Sequence, residues 1–183
     1  AGGRGVIVVS GHFTTLEACG RLMCDHVPLA GMYRKHRSPV FEWAVLRGRL
    51  RYATAMFGDD DIRGAIRHLK RGGFLWYAPD QDMRGKDTVF APFFGMPAST
   101  ITATHQLARL TGCAVVPFFH RREGGRYILR VAPPLPALPP THSTRPDSPL
   151  WVLRRRGSRC ASSMARASAS LRYCVLRNTT SAM

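Results

Sequence analysis

Val6-Ile7-Val8-Val9 is a run of four apolar, β-branched residues that ends in Ser10-Gly11 and leads directly into Thr14-Thr15-Leu16-Glu17 and an apolar-periodic stretch. A strand with no polar alternation is a strand buried on both faces, the pattern of a sheet flanked by helices. The chain therefore reads strand, tight turn, helix from its start, and open α/β sheets collect their chemistry at the carboxyl edge of such strands. His12 falls in that turn. With the helix starting near Thr14, Glu17 need not lie round its far side, and its carboxylate can orient the imidazole as the third member of a triad orients its base. An imidazole held in this way can take a proton from a hydroxyl near neutral pH.

Spacing alone does not secure the pair. Seven His and eleven acids in 183 residues give about 0.4 chance pairs five apart. A second pair, His142 with Asp147, does occur, in a Pro-rich stretch with no strand before it. Thr14-Thr15-Leu16-Glu17 also fits a T-x-x-E capping box, in which Glu17 serves the helix start and no chemistry.

The length and the 45% hydrophobic content suit one domain with a real core, and no run of eighteen or more apolar residues is present. Five cysteines, Cys19, Cys24, Cys113, Cys160 and Cys174, are scattered without a C-x-x-C pair, which fits a reducing compartment and small buried apolar side chains rather than a zinc site. The net charge of +16 is unevenly spread: residues 141–183 hold eight Arg and one Asp, against 19 basic and 10 acidic residues in 1–140. The first part favours anionic partners such as phosphates, acidic proteins or a membrane surface, unless its cations form a solvated face. A sequence pI of about 11.1 invites a nucleic-acid-binding reading, but no helix-turn-helix, zinc or RNA-recognition signature accompanies it, and no nucleic acid partner is expected.

Along the chain, Val6 to Ser10 predicts the first strand, Thr14 to about Met23 a helix, and Val27 to Tyr33 a second strand. Ser38-Pro39 opens another helix, with Trp43, Val45, Leu46 and Leu50 as its apolar side and Arg47, Arg49 and Arg51 near its end. Some of these Arg can point into a site, although exposed Arg is the commoner arrangement. Asp59-Asp60-Asp61 precedes a short amphipathic helix closed by Gly72-Gly73, as capping acids or, less directly, as a metal set. Phe74 to Ala78 is a buried strand that runs into Pro79-Asp80-Gln81-Asp82, placing two acids at the same carboxyl edge, as site residues or as a polar turn. Phe90-Ala91-Pro92-Phe93-Phe94-Gly95-Met96-Pro97 is too rich in Pro for a helix and too apolar for an ordinary loop; it reads as a surface for a greasy substrate or a membrane, or as a loop folded back on the core. Ser99 or Thr100 can cap a helix ending at Gly112. Ala114 to Phe119 and Tyr127 to Ala132 then pair across Glu123-Gly124-Gly125. The expected fold is α/β, a mixed, mainly parallel sheet flanked by helices. After Thr141 no periodicity is sustained, and no regular structure is assigned.

Taken together, Gly11-His12-Phe13-Thr14-Thr15-Leu16-Glu17, Met32-Tyr33-Arg34 with His36, Arg47-Gly48-Arg49-Leu50-Arg51, Trp76-Tyr77-Ala78-Pro79-Asp80-Gln81-Asp82 and Phe90-Ala91-Pro92-Phe93-Phe94-Gly95, in this order and spacing, closely resemble the lipid A biosynthesis lauroyl acyltransferase family. The resemblance covers residues 4 to about 135. It implies a glycerolipid-type acyltransferase with an H-x4-D/E dyad, moving a fatty acyl chain from acyl carrier protein to a hydroxyl of a Kdo-bearing lipid A precursor at the cytoplasmic face of the inner membrane. The expected partners are acyl carrier protein, a glycolipid acceptor and that membrane, with no metal or redox cofactor. Carried over by motif, His12 is the general base, Glu17 orients it, and Arg49 and Asp80 match further functional positions. Arg47, Arg51, Asp82, Phe90, Phe93 and Phe94 are the expected substrate-binding residues. The same chemistry on another acceptor, such as a phosphatidylinositol mannoside, is the alternative.

Two departures from the family pattern shape the expected domain plan. Only eleven residues precede His12, where the resemblance implies a membrane anchor and about a hundred residues more, so residues 1–135 are expected to be a catalytic domain lacking its N-terminal part. Residues 136–183 are read as a Pro- and Arg-rich tail with only an echo, Leu150-Trp151-Val152-Leu153-Arg154-Arg155, of the family's C-terminal signature. The chain by itself is thus expected to be a poor catalyst and prone to association.

Overall fold

The computed structural model describes residues 3–81, 88–136 and 172–176, the last as backbone strand. Among these, β1 (Val6–Val9), α1 (Leu16–Cys24), β2 (Leu29–Tyr33), α2 (Pro39–Arg49), β3 (Ala55–Gly58), α3 (Ile62–Lys70) and β4 (Phe74–Tyr77) alternate strictly. A hairpin of β5 (Thr88–Phe93) and β6 (Met96–Ile101) follows, then α4 (Ala103–Thr111), β7 (Ala114–Glu123), β8 (Arg126–Val131) and β9 (Arg172–Leu176). The main sheet runs β3-β2-β4-β1-β7-β8-β9. Its first five strands are parallel and its last two pairings antiparallel, so the chain is α/β with a mixed, mainly parallel sheet.

β1 is the central strand of the seven, with parallel neighbours β4 and β7 on either side, which explains its unbroken apolar run. Strand side chains alternate between faces: Val6 and Val8 join Cys19, Met23, Trp76 and Phe118 on one side, while Ile7 joins Ala65, Leu69, Leu75 and Leu107 on the other. Gly20 is a point of close approach between α1 and the sheet, because a Cβ there would come within 2.4 Å of Trp76 Cζ3. We expect Gly20→Ala to destabilise by about 1–3 kcal/mol through overpacking, offset by up to about 1 kcal/mol of helix propensity. A urea midpoint no lower than the parent's would show that Trp76 yields freely.

Several details differ from the sequence reading. β3 was not anticipated; Ala-Met-Phe-Gly is short and lies at the edge of the parallel block. The Phe- and Pro-rich stretch is a hairpin rather than a loop, with Pro92 opposite Pro97. Proline is tolerated there because a two-stranded ribbon has free edges that ask no N–H of it. Ser99 and Thr100 consequently belong to β6, and the cap position of α4 falls to Thr102. α2 buries no residue, and Trp43 and Leu50, expected on its inward side, are exposed while Val45 and Leu46 are partly covered. Beyond Thr141, where no regular structure was assigned, Arg172–Leu176 pairs with β8 as an antiparallel strand; its Tyr-Cys-Val-Leu core suits an extended backbone.

The triple Asp is used for ends and pairs. Asp61 accepts the Gly64 backbone N–H at 2.9 Å as the cap of α3, and Asp60 pairs with Lys35 at 2.6 Å. Gly112 ends α4 in the left-handed region at φ 66°, and Gly124 and Gly125, at φ 54° and 74°, make the two-residue turn between β7 and β8.

Candidate active site

β1 and β4 are adjacent and parallel, with Val9 opposite Tyr77, and Ser10 N–H extends the ladder to Tyr77 O at 3.0 Å. Counting on from that pair, His12 stands three residues past Val9 and Asp80 three past Tyr77. The register thus delivers the two side chains to the same point of the carboxyl edge. His12 donates its backbone N–H to Asp80 Oδ2 at 2.7 Å, and its ring Nδ1 lies 2.5 Å from Oδ1. Gly11 permits this approach, since a Cβ there would come within 3.1 Å of Oδ2.

Partial burial pushes the Asp80 carboxyl up, but the hydrogen bonds from the His12 backbone and ring outweigh it, and the net shift is below the ordinary carboxylate value. An ionised carboxylate only accepts hydrogen bonds. The proton shared with Asp80 therefore sits on Nδ1, and Nε2 is left as the basic nitrogen. This is the orienting relationship of the His and Asp in an acyl-transfer triad, in a different chain order.

The expected orientation of His12 by Glu17 is not what the side chains make. Glu17 lies in the first turn of α1, where its carboxylate pairs with Arg49 Nη2 and, at 3.4 Å, Nε. The capping box is not formed either: Thr15, not Thr14, holds the cap position and makes no side-chain cap bond. Arg49 comes from the end of α2, and its guanidinium lies 5.9 Å from the centre of the Tyr33 ring. Tyr33 donates its hydroxyl to Glu42 Oε1 at 2.5 Å, and Glu42 Oε2 accepts the His36 N–H at 2.9 Å. Burial and the Glu42 carboxylate push the Tyr33 phenol up to about 12, so it stays protonated as a donor. These partners tie α2 across the carboxyl edge at both its ends.

Between α1, β2 and the end of α2 opens a cleft of about 340 Å³. His12, Glu17, Arg49 and Gln81 give it polar groups, and Leu29, Gly31, Met56 and Trp76 an apolar wall. Of the residues picked from sequence, His12, Glu17, Arg49 and Asp80 are thus brought together by direct contacts or a shared cavity. Arg47 and Arg51 are exposed and do not line the cleft; with Trp43, Leu46 and Leu50 they border a separate surface depression. The helical repeat that turns Arg49 inward turns Arg47 away, and Arg51 lies past the helix end. Phe90, Phe93 and Phe94 sit exposed on the β5–β6 hairpin and are not cleft-lining residues either. Asp82 lies outside the described residues.

The sequence reading passed over His120. β7 runs four residues further than expected, and strand alternation puts His120 on the same face as Phe118, 6% exposed. Its Nδ1 meets Thr15 Oγ1 at 2.7 Å, and its ring is edge-on to Phe13 at 5.2 Å. The turn that carries His12 is therefore fastened from below. Extending the alternation Val116, Phe118, His120 past Phe119 would have found it. Burial pushes the His120 imidazole below its ordinary 6.5. The unfolded chain then binds the proton more readily than the folded one, so the stability His120 contributes is present above pH 6.5 and lost as pH falls through the folded value. We expect the urea midpoint to drop between pH 7 and 5 more steeply in the parent than in His120→Phe. Equal slopes would place the acid sensitivity elsewhere.

A basic nitrogen held by a carboxylate at the mouth of a partly apolar cleft can deprotonate a hydroxyl while an apolar chain lies alongside. Comparison with known proteins bears on which hydroxyl chemistry this is. The family described as bacterial lipid A biosynthesis acyltransferase matches residues 1–148. The chain is 40% identical over 134 residues to the lipid A biosynthesis lauroyltransferase of Escherichia coli K12, covering 72% of this chain and 44% of that protein. It is 35% identical over 170 residues to the palmitoleoyltransferase of the same organism, covering 83% and 56%. A lipid A biosynthesis acyltransferase of Haemophilus influenzae is 35% identical over 135 residues, covering 72% and 43%. The chain spans about half the length of these relatives.

Proposed function

Because the chain belongs to the bacterial lipid A biosynthesis acyltransferases, we propose that the whole protein transfers a fatty acyl group from acyl carrier protein to a hydroxyl of a Kdo-bearing lipid A precursor. The acceptor oxygen attacks the thioester carbonyl as His12 Nε2 takes its proton; the C–O bond forms, the C–S bond breaks, and the imidazolium returns the proton to the departing thiol. Asp80 keeps Nδ1 protonated and stabilises the imidazolium. The apolar wall of Leu29, Gly31, Met56 and Trp76 takes the start of the acyl chain. The Arg49 guanidinium, anchored by Glu17, supplies positive charge beside the developing oxyanion. As written, the reaction consumes no metal or redox cofactor. The acceptor is a lipid, and the reaction belongs at the cytoplasmic face of the inner membrane; among the described residues no helix is long and apolar enough to cross a membrane.

The observation that carries this reading is the His12–Asp80 pair beside an apolar cleft in a chain of this family. Full-length protein incubated with radiolabelled acyl carrier protein thioester and the precursor should yield labelled lipid. No labelled lipid from folded protein would end the proposal. Glu17→Gln separates chemistry from packing: it keeps the shape but weakens the charge-assisted bonds to Arg49, and we expect kcat/KM to fall about tenfold or more with Tm unchanged. Near-normal turnover would reduce Glu17 to a structural partner.

A further inference from the structure

The outward face of α2 has the wrong polarity for a helix that merely caps a cleft. At about 100° per residue, Glu42, Val45, Leu46 and Arg49 share one side, and all four are partly covered. Val40, Phe41 and Trp43, spread over the rest of the circumference, and Leu50 at the C-cap are exposed by 76%, 56%, 62% and 49%, together with exposed Arg47 and, just past the helix end, Arg51. An ordinary surface helix turns its apolar stripe inward and its charges outward. Here the one acid is turned inward and the aromatics outward. Arg47 rides over the Trp43 ring at 5.4 Å, joining cation and aromatic at one level.

We propose that this face lies in the headgroup layer of an anionic bilayer, so that the helix lending Arg49 to the cleft also seats the protein on the surface that holds its lipid substrate. Trp, Phe and Arg together on the uncovered part of a short helix suit an interface: the rings enter the boundary of the acyl region while the guanidinium groups meet phosphates. The exposed side of α2 carries cations and no carboxylate, which is the charge that complements anionic headgroups. A headgroup layer satisfies rings and cations at once. The β5–β6 hairpin supplies a second uncovered surface, with no charged residue from Thr88 to Ile101 and with Phe90, Phe93, Phe94 and Met96 exposed. At its tip the 91% exposed Phe94 occupies the left-handed region at φ 49°, a conformation uncommon for a bulky residue.

The inference rests on the reading that the acceptor is a membrane lipid, and its test needs no turnover. Trp151 is replaced by Phe in the 183-residue chain, so that emission comes from Trp43 and the buried Trp76. Vesicles of phosphatidylcholine and phosphatidylglycerol, three to one, are prepared with and without brominated acyl chains. Trp43 emission is expected to shift to the blue and be quenched by the bromines, with no quenching remaining in Trp43→Phe. Phe41→Ser with Trp43→Ser should weaken partitioning at least about tenfold, and Arg47→Ser and Arg51→Ser about fivefold each on anionic but not neutral vesicles. Because these side chains are exposed, the variants keep the fold, which near-ultraviolet circular dichroism checks. Unquenched Trp43 on vesicle-bound protein would overturn the proposal by assigning binding to other cations. So would protection of Trp43 by acyl carrier protein in place of lipid. Loss of transfer to detergent-dispersed precursor in otherwise quenched protein would instead count against the acyltransferase reading alone.

Discussion

His12→Gln in the full-length protein is expected to lower acyl transfer by about 10²- to 10⁴-fold while leaving the unfolding free energy within about 0.5 kcal/mol of the parent, because the ring is an exposed one. Gln keeps polarity and size but offers no basic nitrogen. Asp80→Asn should fall in the same range for another reason: an amide can donate to Nδ1, which stabilises the wrong tautomer and turns the N–H toward the substrate. The two changes disable one device, so the double variant should be no worse than His12→Gln alone. Single-turnover measurements with acyl carrier protein thioester read this directly. Losses that multiply would mean that Asp80 acts independently of the imidazole, and an Asp80→Asn enzyme at parental rate would leave Glu17 as the orienting carboxylate.

Phe118→Ala should have the largest effect on stability. Phe118 is fully buried, packs edge-on against Trp76 at 5.6 Å and lies 5.5 Å from His120. Deleting a buried ring of this kind costs about 3–5 kcal/mol, a large share of the 5–15 kcal/mol that holds a typical domain. Phe118→Leu, which leaves a smaller void, should cost on the order of 1 kcal/mol. The loss also travels to the site, because Trp76 forms a wall of the cleft and His120 fastens the His12 turn. Urea unfolding followed by circular dichroism, with kcat measured on the folded fraction, separates the two effects. A loss below about 1 kcal/mol for the Ala variant would remove Phe118 from the core.

What could be read from sequence follows from which interactions are local. The strands covered on both faces, β1, β4 and β7, announce themselves as apolar runs, and the glycine stops after α3 and α4 are visible because the backbone there needs residues that accept a left-handed turn. Partnership across the sheet leaves no such mark. Glu17 stands five residues from His12 and Asp80 sixty-eight, so a reading built on spacing favours the nearer acid, whereas the ladder between β1 and β4 selects the farther one. The same limit applies to α2. Its apolar residues run almost all the way round the helix, so no stripe says which side meets the protein; Val45 and Leu46 turn inward as expected, whereas Trp43 and Leu50 do not. The prolines at 92 and 97 argue against a helix and so suggest a loop, and only their mutual pairing in a ribbon with open edges makes a hairpin of the stretch.

The pairing of Val9 with Tyr77 also sets an order in time. His12 leaves the ribosome 68 residues ahead of the carboxylate that orients it, an interval of roughly 3 to 14 s at ordinary rates of synthesis. Closing a loop of that length costs on the order of 4 kcal/mol, which the apolar contacts of β4 on β1 must outweigh before the two side chains meet. Until then the imidazole is an ordinary solvated histidine. On the proposed mechanism the nascent chain is thereby chemically silent, its base assembled only when the hydrophobic centre has closed.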